Sequence, residues 1–101
     1  MEILRAAGFG VRRSKKPVIF EKFTPRDIKR MAAMEHGRWN VERLRDGWRG
    51  GKPRNNAKKI HDCIVSWRDL PGYIRKFDYV AVRAFPKILA QAGLEVYRLQ
   101  R

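Results

Sequence analysis

The 101-residue chain is short of cysteine, histidine and acid. Its one cysteine, Cys63, has no internal disulfide partner. Two histidines and one cysteine are too few for a Cys/His zinc cage. The longest stretch without a charged side chain is Ile88 to Leu94, far short of the roughly 20 residues a spanning helix needs, so membrane insertion is not expected. The N-terminus has no apolar run of signal-peptide length, and a cytoplasmic setting is the expectation. Ten acids stand against 24 Lys and Arg, a net charge of +14. The excess is dispersed: residues 1–16 carry +4, 17–30 carry +2, 31–47 are neutral, 48–62 carry +4 and 63–101 carry +4. No single basic tail accounts for it.

What is present is enough apolar residue, 44% of the chain, for one small packed domain. An internal echo comes first. Ile3 to Arg13 matches Ile88 to Arg98 at six of eleven positions: Ile, Leu, Ala, Gly, Val and Arg. Each copy reads as a helix end, a glycine stop needing positive φ, and an extended segment. The first copy has little chain in front of it, so residues 1–17 are expected to be a linker, the tail of a preceding domain, with residues 18–101 as the folded unit.

Val18 to Phe23 alternates weakly, as a short strand would. Thr24, Pro25 and Asp27 then write a capping box with proline at the first helical position. The helix is expected over about 25–46, stopped by Gly47. One of its faces carries Trp39 among Glu35, Glu42 and Asp46, carboxylates that either pair with Arg38, Arg43 or cations of the next loop or form a polar site beside Trp39. A second main helix is expected over about 79–92, capped by Asp78 and kinked or split by Pro86. Its Ala81, Val82, Phe85, Ile88, Leu89 and Ala92 should dock on Trp39 and Ile28. Ile60 to Trp67 reads as extended, Asp69-Leu70-Pro71-Gly72 as a turn or helix start, Tyr73 to Phe77 as a short amphipathic piece, and Leu94 to Leu99 as an edge strand. The fold class is therefore mostly α: two packed helices, a long loop and short flanking strands.

Catalytic patterns fail on inspection. Gly50-Gly51-Lys52 imitates the end of a Walker loop, but Asp46 stands where its first glycine belongs and Pro53 where Ser or Thr should be. Gly8-Phe9-Gly10 opens a dinucleotide fingerprint that Arg13 closes wrongly. Cys63 near His61 lacks a recognisable oxyanion site and reads as a small buried hydrophobe. The polar loop over 47–61 is more informative. It gathers an aromatic ring, several cations and amides, a mixture suited to an anionic, nucleotide-like molecule through stacking, charge and orientation. The candidate binding residues are Trp39, Trp48, Arg54, Asn55, Lys59 and His61, with His36 and Arg38 from the helix. No catalytic residue, metal or cofactor is expected.

Several motifs run through this region. They are Ala33-Met34-Glu35-His36-Gly37-Arg38-Trp39, Gly47-Trp48, Gly50, Arg54, Lys59-Ile60-His61, Leu70-Pro71, Phe77-Asp78 and Val82-Arg83-Ala84-Phe85-Pro86. With these the chain resembles the ryanodine-receptor (RyR) domain family over about residues 25–99. Arg49, Asn55 and Asp62 depart from the usual family pattern. The resemblance implies a mostly helical unit with a long loop and short strands. In the animal calcium-release channels such units are paired, cytosolic, outside the pore and without catalysis of their own. In prokaryotes similar units are attached to nucleotide-binding or signalling domains. No pore, calcium or ryanodine site carries over. The resemblance therefore implies ligand or partner-domain recognition through the 47–61 loop. Two other expectations stand beside it: a self-associating assembly unit, such as a homodimer, and nucleic-acid binding through the basic surface, at least non-specifically.

Overall fold

The computed structural model describes residues 2–99; Met1 and residues 100–101, which the expected domain bounds include, lie outside the described residues. About half the chain is helical, with a few short strands. In order the elements are α1 (Glu2–Ala6), β1 (Phe9–Arg13), α2 (Pro25–Arg45), β2 (Arg49–Gly50), β3 (Ile60–His61), a 3-10 turn (Trp67–Asp69), α3 (Gly72–Arg83), α4 (Phe85–Gln91) and β4 (Leu94–Arg98).

α2 starts as its sequence demands. The Thr24 hydroxyl accepts from the Asp27 amide while the Asp27 carboxylate accepts from the Thr24 amide. It ends at Arg45, one residue before the expected bound, with Asp46 as its cap and Gly47 at φ 89°. The Trp48 amide reaches the Arg43 carbonyl and the Gly47 amide that of Leu44, which caps the last turn.

The second helical region differs from the expected single helix over 79–92. α3 starts at Gly72, just after Pro71, and Asp78 lies in its middle rather than at its cap. Pro86 has no amide to donate, so the helix breaks at Ala84 and resumes as α4. Val82 is fully buried and Phe85 and Leu89 pack on the core, whereas Ile88, expected on the docking face, is 57% exposed. The docking partners are Ile28, Met31 and Ala32; Trp39 lies outside this core.

The expected linker is the largest correction. Residues 2–13 form α1 and β1, and Leu4 and Phe9 are fully buried side chains of the core. β1 pairs antiparallel with β4, and the pair is centred on Val11 opposite Val96. Those two valines are equivalent in the internal echo, so its copies form a helix–glycine–strand unit twice, with the two strands paired antiparallel about them. Gly8 and Gly93 make the turns at φ 94° and 76°. Residues 18–23 form no strand; the Val18 amide donates to the Glu95 carboxylate rather than to a strand carbonyl. Instead Phe20 and Phe23 pack their rings on Phe9, with centroids 5.3 and 4.9 Å away.

Candidate functional site

α2, α3 and the 47–61 loop enclose an open, mostly apolar cleft of about 310 Å3. It is lined by His36 and Trp39 from α2, Arg54, His61 and Cys63 from the loop and its exit, and Ile74, Phe77 and Asp78 from α3. Four expected residues therefore converge here: His36, Trp39, Arg54 and His61.

An aromatic series holds the loop on the body. Tyr79 meets Trp67 at 5.9 Å between ring centroids, Trp67 meets His36 at 6.1 Å, and His36 stacks on Trp39 at 5.8 Å. Trp39 then meets His61 edge-on at 5.0 Å, and His61 meets Trp48 at 6.0 Å. Trp48 is half-buried and acts as a brace behind His61 rather than as a wall of the cleft. Backbone pairing completes the loop. The Arg49 amide donates to the Lys59 carbonyl, the Gly51 amide to that of His61, and Asn55 and Ile60 exchange both bonds. Parallel β2–β3 is only two residues long, so the extended stretch expected over 60–67 is confined to Ile60–His61. Gly50 is required here: a Cβ would sit 2.5 Å from the Ile64 carbonyl oxygen.

The other expected residues serve the frame. Lys59 adopts φ 54° and its Nζ donates to the Asp46 carbonyl, tying the loop exit to the end of α2. The Asn55 carboxamide oxygen accepts from the Lys58 amide, closing the turn. Arg38 pairs Glu35 and Glu42 along the outer side of α2, and Arg43 pairs Glu42 and Asp46. The three carboxylates near Trp39 are thus paired by the two arginines the sequence places beside them.

His36 is nearly buried, and its Nε2 donates to the Val65 carbonyl at 2.7 Å, which Asn40 also reaches at 2.9 Å. This anchors the segment after the loop to α2. His61 Nδ1 accepts from the Cys63 amide, which places the proton of the neutral ring on Nε2. Burial, with the nearby Arg54 charge, holds the His61 pKa below its ordinary value. Arg54 donates to the Asp62 carboxylate at 2.8 Å and lies 3.8 Å from the Cys63 sulfur. That hydrogen bond lowers the Asp62 pKa, and burial raises that of the Cys63 thiol. His61, Asp62 and Cys63 hold their heteroatoms within 4.8 Å of one another, but the Asp62 carboxylate is already engaged by a guanidinium.

Asp78 differs from the other acids of the region. It lines the cleft, and among the described residues no Lys or Arg pairs with it. Burial raises its pKa, the Glu35 charge adds to this, and His36 opposes both. Sequence reasoning missed Ile74, Phe77 and Asp78 as cleft residues. The helical spacing of 74, 77 and 78, read with α3 starting at Gly72, was the available signal. The cleft thus offers ring faces, one guanidinium at its rim and one unpaired carboxylate inside.

Among the described residues no helix is long and apolar enough to cross a membrane. A family model described as RyR domain matches residues 17–98, most of the chain. No curated protein matches the sequence. The matched segment contains every residue of the cleft, whereas α1 and β1 lie before it.

Proposed function

The chain belongs to the RyR domain family, and from that premise we propose that it is a non-enzymatic recognition module with the fold of that family. Its cleft takes a planar, anionic, nucleotide-like molecule. The carrying observation is the convergence of Trp39, His36, His61 and Phe77 with Arg54 and Asp78 around one cleft of about 310 Å3. A heterocycle stacks against the aromatic wall formed with Trp39. Its ring N–H groups donate to the Asp78 carboxylate. Its phosphate replaces or shares the Asp62 contact at Arg54, a charge-assisted hydrogen bond of the stronger kind.

The same geometry supports recognition over chemistry. The Cys63 thiol is pushed away from the thiolate form by burial, and His61 spends its Nδ1 on a backbone amide rather than on a nucleophile. The aromatic series gives the loop a fixed shape before ligand arrives, which lowers the ordering cost of binding.

The test is thermal shift against mononucleotides, dinucleotides and ADP-ribose-like compounds, repeated with Arg54→Ala. Stabilisation of the wild type by at least one phosphate-bearing heterocycle, with about tenfold weaker binding by Arg54→Ala, is expected. A panel without any shift contradicts the reading. So does an equal shift in the variant.

A further inference from the structure

α3 is apolar on two sides. Val82 faces the core, and the opposite side presents Tyr73, Phe77 and Val80 at 71%, 72% and 65% exposure. Their spacing of four and three residues sets them in one stripe along the helix. Lys76 and Arg83 follow the same spacing along one margin of that stripe, and Arg68 stands on the turn before the helix; all three are exposed. Among the described residues none of these cations takes part in a salt bridge. Asp78, on the same helix, faces the cleft instead. The Asp69 carboxylate is engaged by the Ser66 hydroxyl.

Exposed aromatic rings beside free cations, on a chain of charge +14, do not suit a second copy of the chain. It would bring the same charge and the same Lys76 and Arg83 to the contact. The occupant that matches must supply anions for the margin and flat apolar faces for Tyr73 and Phe77. We infer that the exposed side of α3 is a binding surface for single-stranded nucleic acid, its bases stacking on Tyr73 and Phe77 and its phosphates meeting Lys76, Arg83 and Arg68. Unpaired bases present their faces, whereas a duplex hides them, so stacking selects single strands. Val80 extends the apolar platform by one turn. This surface is separate from the cleft except at Phe77, which borders both, so the inference stands without the nucleotide-like ligand.

Fluorescence anisotropy tests it, with labelled oligo-dT and oligo-U and a duplex of the same length, at about 0.15 M salt and over a salt series. Single strands are expected to bind more tightly than the duplex. Tyr73→Ser should weaken single-strand binding about tenfold with the duplex unchanged, and Tyr73→Phe should retain it. Lys76→Ala with Arg83→Ala should flatten the dependence of log affinity on log salt by roughly 0.7 for each phosphate that is no longer neutralised. Circular dichroism confirms that each variant is folded; these residues are exposed, so unfolding is not expected. Equal affinity for single and double strands, or indifference to Tyr73→Ser, overturns the inference. It is likewise overturned if Tyr73→Ser instead abolishes binding to an acidic amphipathic peptide or to anionic phospholipid vesicles. Loss of strand binding in Trp39→Leu but not in Tyr73→Ser places the strand in the cleft and contradicts the surface.

Discussion

The described residues form two small sheets held in opposite ways. β1–β4 is five residues long, antiparallel and backed by the fully buried Phe9 and the buried Val96. β2–β3 is two residues long, parallel, and backed by rings that meet edge-on, one lysine–carbonyl bond and the Arg54–Asp62 pair. The first depends on the removal of apolar surface from water, which is nearly blind to salt and pH. The second depends on groups that titrate, carry charge or donate hydrogen bonds. The second kind of surface carries His61 and Arg54, which line the cleft.

Phe9→Ala attacks the first sheet and has the largest expected effect. It removes a fully buried ring that also packs on Phe20 and Phe23. A loss of about 3–5 kcal/mol is expected, a large share of the roughly 5–15 kcal/mol that holds a domain of this size. Urea denaturation should show the midpoint collapsing; a near-normal midpoint would mean the terminal unit is not part of the core.

Gly50→Ala attacks the second sheet. The new methyl meets the Ile64 carbonyl oxygen, backbone that cannot swing aside, so about 1–3 kcal/mol is expected. The damage should be local. Hydrogen exchange at the Arg49 and Gly51 amides should accelerate, while the β1–β4 amides keep their protection. Uniform acceleration throughout would erase the distinction between the two sheets.

A smaller effect comes from pH. Burial holds the His61 pKa below its ordinary 6.5, so the unfolded chain takes up that proton first as pH falls. The contribution of His61 is therefore complete above the ordinary value and is lost as pH drops through the lowered one. The difference in stability between wild type and His61→Phe should shrink as pH falls below about 6.5, read by thermal melts. A pH-independent difference would show that the ring is not buried as described.

The smallest effect belongs to the ion pair decorating the first sheet. Arg12 meets Glu95 at 2.7 Å but is 58% exposed, so Arg12→Ala should cost less than about 1 kcal/mol, and less again at high salt. A larger cost would mean that β1–β4 relies on charge after all.

Much of the fold was legible in local sequence signals. Thr24, Pro25 and Asp27 mark the start of α2, Gly47 its end, and Pro86 the helix break. The echo at 3–13 and 88–98 marks two glycine turns. The helix end and extended segment of each copy were legible, but their pairing into one unit of the core was not, because contact between residues more than 80 positions apart leaves no local trace. The start of α3 was legible in part: Asp69-Leu70-Pro71-Gly72 reads as a turn or helix start, but the cap chemistry of Asp78 hides that one helix runs on through it to Arg83. Of the candidate site, Trp39, His36, Arg54 and His61 reach the cleft, while Asn55, Lys59 and Arg38 resemble them in composition but are engaged by the frame. Residue type announces what a side chain can bind; it does not announce that a neighbouring carbonyl has already bound it.

The central claim is that the cleft beside Trp39 binds a planar anion through Arg54. A titration of ADP followed by the indole and backbone amide resonances tests it most directly. Saturable shifts at the Trp39 indole and at the amides of Arg54, His61 and Phe77 are predicted, with Val11 and Val96 unmoved and Arg54→Ala about tenfold weaker. Shifts that never saturate, that spread evenly over the basic surface, or that persist unchanged in Arg54→Ala would contradict it.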